Sequence, residues 1–324
     1  MNTINGSGFR NYIIKRLAFA FLTFFLIVTL SFCIIRLMPG SVYDSADIPE
    51  AVLKLSEDRL LLDKPVLYQY AAYIKNVFIK WDFGMSLKVE PGVPAFDVLK
   101  RRIPVSLGIN GLALLISLPL GALLGAAAAL KRGKLTDRLI TFNTVLLMSV
   151  PSFILASLLQ YGAAFKLGVG DILYRPTGPF WARAASIALP VIALAIGPAA
   201  LLARSLRDEL TEAADADFIL FAKAKGLGAF TVLKRHGLRF SVIPLVPLLT
   251  VMFTDILGGS LVVERIFAVG GAGGILVDSI NARDYNLIMA VVIFYTGIEL
   301  LALFAADLLL GVIDPRIRIG GEAR

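Results

Sequence analysis

Residues 103–130 read IPVSLGINGLALLISLPLGALLGAAAAL, a run of 28 residues without a charged side chain. A helix needs roughly 20 apolar residues to cross the hydrocarbon core of a bilayer, so this run is long enough to span it. Five further runs share this character, the last two with one acidic residue each: 17–35, 139–165, 184–203, 240–263 with Asp255, and 285–306 with Glu299. Because lipid cannot hydrogen-bond to exposed backbone groups, we predict an all-α integral membrane protein with six transmembrane helices.

The composition agrees with lipid as the solvent for most of the chain. Of the 324 residues, 57% are hydrophobic and 17% are charged, whereas soluble domains are nearer roughly 45–50% and about 25%. The first run follows Lys15 and Arg16, as the apolar core of a signal peptide would. It is longer than such a core, and residues 36–40 offer no small-x-small cleavage site, so we expect a retained anchor helix.

The basic residues behind the net charge of +8 are unevenly distributed between the loops. They precede the first run, lie between the second and third and between the fourth and fifth, and follow the last: Arg10, Lys15, Arg16, Lys131, Arg132, Lys134, Arg138, Arg204, Arg207, Lys223, Lys225, Lys234, Arg235, Arg239, Arg316, Arg318 and Arg324. These segments alternate with the others and so share one side of the membrane. The positive-inside bias predicts that this side, with both termini, is cytoplasmic. This distribution of the basic residues indicates a protein oriented in a bilayer and gives no reason to expect a nucleic-acid partner.

The predicted spans divide the chain into four parts. They are a cytoplasmic N-terminus with the first helix (1–38), an external segment (39–104), a five-helix core (105–310) and a cytoplasmic tail (311–324). Within the external segment, apolar residues recur at helical spacing from Val66 to Trp81. This pattern predicts an amphipathic helix that lies on the membrane surface, packs on the tops of the transmembrane helices, or does both.

Glycines and prolines mark special positions within the predicted helices. The second helix contains Gly121-x-x-x-Gly125 followed by four alanines, which predicts tight packing because small residues let backbones approach closely in lipid. Prolines stand in or near helices at positions 119, 151, 190, 198, 244 and 247, and each removes a backbone donor and invites a kink. Kinks suit a transporter that changes shape, but prolines are also common in membrane helices without such a role.

Residues 204–239 form a cytoplasmic segment that is too long and too charged for a simple connector. Gly226-Leu227-Gly228 divides it, and glycine permits the positive φ that ends one helix and turns the chain into the next. We predict two short helices joined at a sharp corner. Aromatic residues such as Phe218, Phe221 and Phe230 stand among the charges, which is typical of a docking surface for a soluble partner.

Residues 264–284 form an external segment that is rich in glycine. Neither the dinucleotide pattern G-x-G-x-x-G nor the P-loop pattern G-x-x-x-x-G-K-[ST] is present, and the segment lies on the wrong side of the membrane for ATP. A flexible gate or a re-entrant turn is therefore predicted. Since the chain has no phosphate-binding loop, we do not expect it to use ATP itself.

Short motifs along the chain occur in an order that resembles a known family. The motifs are Tyr12-Ile13-x-x-Arg16-Leu17, Arg36-Leu37-Met38-Pro39-Gly40, Asp82-Phe83-Gly84-x-Ser86, Val150-Pro151-Ser152-Phe153, Ala188-Leu189-Pro190, Asp217-Phe218-x-x-x-Ala222-Lys223-Ala224-Lys225-Gly226-Leu227, His236-Gly237-Leu238-Arg239, Gly258-Gly259-x-x-Val262-Val263-Glu264, Arg283-Asp284-Tyr285 and Asp314-Pro315-Arg316-Ile317-Arg318. Over nearly the whole chain they resemble the first permease subunit of the dipeptide/oligopeptide permease family of ABC importers. The motif that begins at Asp217 is similar to the loop by which importer permeases contact their ATPases.

The resemblance implies a type I ABC importer permease bundle with cytoplasmic coupling helices, in the inner membrane of a bacterium. The implied ATPase-docking residues are Asp217, Phe218, Phe221, Ala222, Lys223, Ala224, Lys225, Gly226, Leu227 and His236. The implied external gate consists of Glu264, Gly270, Gly271, Gly273, Arg283, Asp284 and Tyr285. The implied partners are a second homologous permease, two ABC ATPase subunits and an external substrate-binding protein.

The sequence departs from the family pattern in three places, one of which is Asp255, a charged residue in a helix where an uncharged one is expected. Leu220-Phe221-Ala222 stands where the general loop motif has Glu-Ala-Ala, as is usual in the peptide branch. Gly270-Gly271-Ala272-Gly273 stands where the family has Pro-Gly before Leu-Gly. Peptides are the expected substrate, with nickel, glutathione or another small solute as the alternative that the resemblance leaves open.

Two other functional classes are weighed against the permease. A secondary ion-coupled transporter needs paired ionisable groups within the membrane, and Asp255 and Glu299 are the mid-helix candidates. A membrane-embedded hydrolase needs a nucleophile with a positioned base, and the single histidine, His236, lies outside the predicted spans. With Cys33 as the single cysteine, neither an intramolecular disulfide nor a Cys/His metal centre can form. We expect no catalytic residue, no metal and no cofactor.

Overall fold

The computed structural model describes residues 6–37, 61, 63–232, 237–258 and 261–313 of the chain. In these ranges every named element is helical, and one isolated bridge joins Met85 to Pro94. The helices are α1 (Gly6–Leu37), α2 (Val66–Lys80), α3 (Ala95–Leu130), α4 (Leu135–Ser149), α5 (Ser152–Leu159, continued by a π-helical turn Gln160–Lys166), α6 (Phe180–Ala214), α7 (Asp217–Ala224), α8 (Ala229–Val232), α9 (Leu238–Gly258), α10 (Leu261–Ile266), α11 (Ala272–Ala282) and α12 (Tyr285–Ile313). The prediction of an all-α protein is confirmed.

Four of these helices, α1, α3, α6 and α12, are long and apolar enough to cross a membrane. The third predicted span differs from a simple helix, because α4 and α5 meet at a bend of 99°. Pro151 stands at this bend and has no N–H to continue the hydrogen bonds of α4. Counted as one span, the bent pair raises the total to five. The fifth predicted run lies mostly in α9, and residues 259–260 lie outside the described ranges, so the count of six stays a prediction.

The centre of the bundle is the contact between α3 and α6. A methyl group at Gly121 would lie 2.7 Å from the carbonyl oxygen of Ala199, and one at Gly125 would lie 2.6 Å from that of Ala203. Glycine is therefore required at both positions, which confirms the tight packing that the G-x-x-x-G pattern predicts. Met252 of α9 packs against the same two helices.

Helix α12 runs antiparallel to α1 along one side of the bundle. Near one end of the pair, the Arg16 guanidinium lies 3.0 Å from the Asp307 carboxylate. Near the other end, the Arg36 guanidinium lies over the ring of Tyr285, 5.7 Å from its centre. The first and last described helices are thus held side by side.

The predicted amphipathic helix is confirmed as α2. Its inner face packs on α1, where Tyr70 and Thr29 share a hydrogen bond of 2.6 Å and the Phe78 ring lies 5.9 Å from that of Phe24. Its outer face carries Leu67 and Ile79, which are 80% and 76% exposed. The helix thus packs on α1 and keeps an apolar outer face, while its predicted location on the membrane surface or on the tops of the spans stays a prediction.

Candidate functional site: the docking segment and the outer junction

The predicted cytoplasmic docking segment, residues 217–232, forms two short helices that pack on each other. Ile219 and Ala222 of α7 and Val232 of α8 are all buried, and Leu227 of the intervening turn packs against them. This small apolar cluster fixes the angle between the two helices. The prediction of two short helices with a turn between them is confirmed.

Gly226 forms the corner between α7 and α8. Its φ is +82°, in the left-handed region that side chains other than glycine rarely adopt. The amide of Leu227 donates to the carbonyl of Ala222 over 3.4 Å, which is the long hydrogen bond of a Schellman motif. Leu227 also packs on the cluster that contains Ala222, as is usual for this motif. The glycine corner is therefore confirmed.

The outward side of α7 combines an aromatic ring with a positive charge. Phe221 is 62% exposed, and the Lys225 ammonium lies 4.5 Å from the centre of its ring. Asp217 and Ala224 are exposed beside them, and the space next to Gly226 is open for at least 4 Å. Phe218 and Lys223 lie in α7, but their side chains are outside the described set, and His236 lies outside the described residues. Docking of a partner here stays a prediction.

Beneath the docking segment, a buried ion pair joins α4 to α6. The Arg207 guanidinium donates to both carboxylate oxygens of Asp137, each over 3.0 Å. The backbone amide of Gly133 and the hydroxyl of Thr141 donate to the same carboxylate over 2.9 Å and 3.3 Å. The sequence does not predict this pair, because the two residues are 70 positions apart. Asp137 also lies among the basic residues of the predicted loop before the third span, where those basic residues are the dominant signal.

A second ion pair lies nearer the docking segment and is exposed. The Arg132 guanidinium lies 2.9 Å from the Asp215 carboxylate, and the two side chains are 52% and 67% exposed. It connects the loop before α4 with the turn between α6 and α7. Exposed pairs of this kind are worth little energetically, about 0.2–1 kcal/mol.

At the predicted outer gate, Glu264 is a buried carboxylate, 1% exposed. The Ser106 hydroxyl of α3 donates to it over 2.6 Å, and the backbone amide of Gly274 donates over 3.1 Å. The amide of Ala272 donates in turn to the Ser106 oxygen over 2.8 Å. The carboxylate and the hydroxyl thus cap the N-terminus of α11, where a negative charge is stabilised.

The glycines of this segment allow close packing, and the gate or re-entrant turn that the sequence predicts here stays a prediction. The segment is largely helical, and Gly273 lies in the first turn of α11. A methyl group at Gly271 would collide with the Ser106 hydroxyl and the Glu264 carboxylate, and one at Gly273 would lie 3.0 Å from that carboxylate. A methyl group at Gly270 would lie 3.0 Å from the Arg102 guanidinium. The absent side chains make room for the buried carboxylate.

Asp284 fastens the other end of α11 to the external segment. Its Oδ2 atom accepts hydrogen bonds from the Ser86 hydroxyl and from the backbone amides of Leu87, Lys88 and Val89, over 2.5, 2.9, 3.0 and 3.2 Å. Its Oδ1 atom accepts from the Leu287 amide over 3.3 Å and so caps α12. Of its predicted neighbours, Arg283 has a φ of +56° and Tyr285 is buried in the apolar core. The structure therefore brings Glu264 together with Gly271 and Gly273 at one end of α11, whereas Arg283, Asp284 and Tyr285 lie at the other end.

The remaining acidic candidates of the sequence are Asp255 and Glu299. Glu299 is exposed on α12, and the side chain of Asp255 lies outside the described set. Within the described ranges, no group of three or more His, Cys, Asp and Glu side chains could hold a metal ion.

Comparison with known proteins agrees with the fold. The family model described as "Binding-protein-dependent transport system inner membrane component" matches residues 118–319. The chain belongs to this family. It is therefore an inner-membrane component of a transport system, the permease, and the family gives it the role of a transport subunit and not of an enzyme.

Three curated relatives match almost end to end. The dipeptide transport system permease protein DppB of Bacillus subtilis is 38% identical over 95% of this chain and 98% of its own length. DppB of Lactococcus lactis is 36% identical over 95% and 99%. The glutathione transport system permease protein GsiC of Escherichia coli is 32% identical over 95% and 99%.

A solved structure gives the same fold. A chain of the MetNI methionine ABC transporter in inward-facing conformations superposes with a TM-score of 0.51, over 67% of this chain and 96% of that one. At 18% identity the likeness shows the fold alone. The predicted type I ABC importer permease bundle is thereby confirmed.

Proposed function

We propose that this chain forms half of the membrane pathway of a peptide importer and couples that pathway to separate ATPase subunits. The observation that carries the proposal is the end-to-end similarity to DppB permeases from two organisms, at 36% and 38% identity over 95% of the chain. Both relatives are named for dipeptide transport. Di- or oligopeptides are therefore the substrate class that we infer.

The docking segment supports the coupling to ATPases. It is exposed, its corner is stiffened by the hydrogen bond between Leu227 and Ala222, and Phe221 with Lys225 presents an aromatic surface next to a charge. Exposed aromatic residues of this kind are enriched in the centres of protein interfaces. We infer that two ATPase subunits dock from the cytoplasm, one on this chain and one on a second, homologous permease.

Contacts between distant segments support the proposal that both termini share one side of the membrane, and the positive-inside bias supports the cytoplasm as that side. Arg16 of α1 pairs with Asp307 near the end of α12, so these two helix ends are adjacent. On the opposite side, Ser86 of the external segment binds Asp284 between α11 and α12. An external substrate-binding protein would then approach the side that carries Ser86 and Asp284.

Glutathione is the second candidate substrate, because GsiC covers this chain as fully as the DppB relatives do. The test is a purified complex of this permease, its partner permease and the ATPases, reconstituted in proteoliposomes with the cognate binding protein. We expect ATP-dependent uptake of a labelled dipeptide, and no uptake when this chain is omitted. Uptake of labelled glutathione or nickel in place of the dipeptide would assign the substrate differently, and uptake without ATP would contradict the proposed function.

A further inference from the structure

The ion pair between Asp137 and Arg207 joins the first turn of α4, the first helix of the bent pair α4–α5, to the part of α6 that precedes the docking segment. The side chain of Asp137 is 5% exposed and that of Arg207 is 26% exposed. The two parallel hydrogen bonds of 3.0 Å form the bidentate geometry in which an arginine fork fits a carboxylate. Such a pair fixes both the distance and the relative angle of the two helices that carry it.

On one side, Arg207 is connected to the docking segment by continuous hydrogen-bonded backbone. Helix α6 runs without interruption through Arg207 to Ala214. In the turn that follows, the amide of Asp215 donates to the carbonyl of Glu212 over 3.2 Å. The amide of Ala216 donates to the carbonyl of Ala213 over 3.0 Å. The amide of Ile219 in α7 then donates to the carbonyl of Ala216 over 2.9 Å. Helices α6 and α7 are therefore connected by a hydrogen-bonded turn.

On the other side, Asp137 controls the beginning of α4. The carboxylate also accepts from Gly133 in the preceding turn and from Thr141 one turn further along the helix. From there α4 runs to Ser149, where the chain bends by 99° into α5 at Pro151. Asp137 therefore anchors the end of α4 that is opposite the bend.

We propose that Asp137 and Arg207 are a positioning pair that transmits displacement of the docking segment to the bent pair α4–α5. This rests on the proposed function, since it assumes that ATPases move the docking segment. The pair keeps peptide movement in step with ATP hydrolysis, while the assembly of the complex depends on the exposed surface of α7. The exposed pair of Arg132 and Asp215 lacks the burial that this role requires.

The test uses conservative variants of the buried pair and the same changes in the exposed pair. Asp137→Asn keeps the shape but removes the charge, and Arg207→Lys keeps the charge but removes the fork. Asp215→Asn and Arg132→Lys are the matched controls. In proteoliposomes of the complete complex with binding protein and a labelled dipeptide, we expect the two buried variants to lower the peptide transported per ATP by about 2- to 30-fold, the range found for changes along a coupling network. The controls should keep the wild-type ratio, and all four variants should retain the ATPase subunits in a pull-down.

The double variant Asp137→Asn with Arg207→Lys gives a second measurement. If the two residues act through one contact, the double variant should be no worse than the more severe single variant. An unchanged ratio in both single variants would overturn the proposal, as would equal losses in the controls or losses that follow reduced recovery of the complex. Failure of the proposed function would instead appear in the wild-type complex, as absent uptake or absent ATPase subunits.

Discussion

Asp284 accepts a hydrogen bond of 2.5 Å from the Ser86 hydroxyl, although the two residues are 198 positions apart in the sequence. Three successive backbone amides after Ser86 point at the same carboxylate oxygen. Four donors around one oxygen form a cradle that only an acceptor can fill, so Asp284 joins the external segment to the start of α12 through four hydrogen bonds. This contact joins two parts of the outer surface that the order of the helices separates.

The change Asp284→Asn should therefore loosen the outer surface. Both carboxylate oxygens of Asp284 accept hydrogen bonds, but an asparagine side chain has one oxygen and one NH₂ group. In the variant, the NH₂ group must therefore replace one of the two accepting oxygens and face a hydrogen-bond donor. We expect a loss of about 1.5–3 kcal/mol, the usual worth of a hydrogen bond to a charged group, together with faster proteolysis between residues 86 and 93. The matched control is Asp82→Asn, because Asp82 is exposed and accepts a local hydrogen bond from Gly84. Equal proteolysis rates in the two variants would contradict the role of Asp284.

Gly271→Ala should disturb the cap that Glu264 provides for α11. The φ of Gly271 is −88°, which alanine adopts without strain, so the expected effect is purely steric. Its methyl group would displace the Ser106 hydroxyl or the Glu264 carboxylate, and a buried carboxylate would lose a donor. We expect a lower midpoint of thermal unfolding, corresponding to about 1–3 kcal/mol. Gly274→Ala is the control, because the space at Gly274 is open for 4 Å, and its midpoint should stay at or above that of the wild type.

Gly125→Ala should separate α3 from α6. The new methyl group would lie 2.6 Å from the carbonyl oxygen of Ala203, closer than a carbon and a backbone oxygen can approach. Overpacking of this kind typically costs about 1–3 kcal/mol. Gly111→Ala in the same helix meets nothing within 4 Å and serves as the control. The measurement is the yield and thermal stability of the protein in detergent, and the prediction is wrong if the two variants behave alike.

The apolar runs in the sequence predict the helices well, because a helix in lipid needs an unbroken apolar segment and little else. They do not predict the bend at Pro151, because a proline in an apolar run does not always bend the helix. Pro190 and Pro198 lie inside α6, which stays continuous. Whether a proline bends a span depends on how other helices pack around it, and those helices are distant in the sequence. The docking segment was predictable because its residues are contiguous in the sequence.

The hydrogen-bond partners of the buried carboxylates Glu264 and Asp284 could not be predicted from the sequence. Glu264 and Asp284 are part of recognisable motifs, but the partner of Glu264 is Ser106, which is 158 positions away on α3. A serine in an apolar helix is as consistent with a back-bond to its own helix as with a long-range contact. The glycines near Glu264 suggest a flexible gate from composition alone, and only the structure shows that they make room for the carboxylate.

The proposed orientation can be tested with single cysteines in a Cys33→Ala background. Lys75 on α2 and Lys134 before α4 are both exposed and suit this experiment. With both termini in the cytoplasm, a membrane-impermeant thiol reagent applied to intact cells should label Lys75→Cys and leave Lys134→Cys unlabelled until the inner membrane is permeabilised. Labelling of both positions from the same side would refute the predicted topology.

Gly226→Val tests the corner of the docking segment. At a φ of +82° a β-branched side chain is strained by about 1–2 kcal/mol or more, so the turn should change its geometry and α7 its presentation. Because the corner has open space around it and is distant from the α3–α6 contact, membrane insertion and pairing with the second permease should remain intact. We expect reduced recovery of the ATPase subunits in a pull-down and a corresponding fall in peptide uptake.

Two further variants separate backbone strain from the added bulk of the valine. Gly228→Val adds the same side chain two residues along the turn, where φ lies outside the left-handed region and nothing lies within 4 Å, so recovery of the ATPases should stay near wild type. Gly226→Asn keeps a residue that tolerates the left-handed region, and its recovery should lie between those of wild type and Gly226→Val. If Gly226→Val retains its ATPases as fully as Gly228→Val, the left-handed corner does not determine docking. If Gly226→Asn is as damaging as Gly226→Val, the cause is the bulk of the side chain at the interface and not the strain of the backbone.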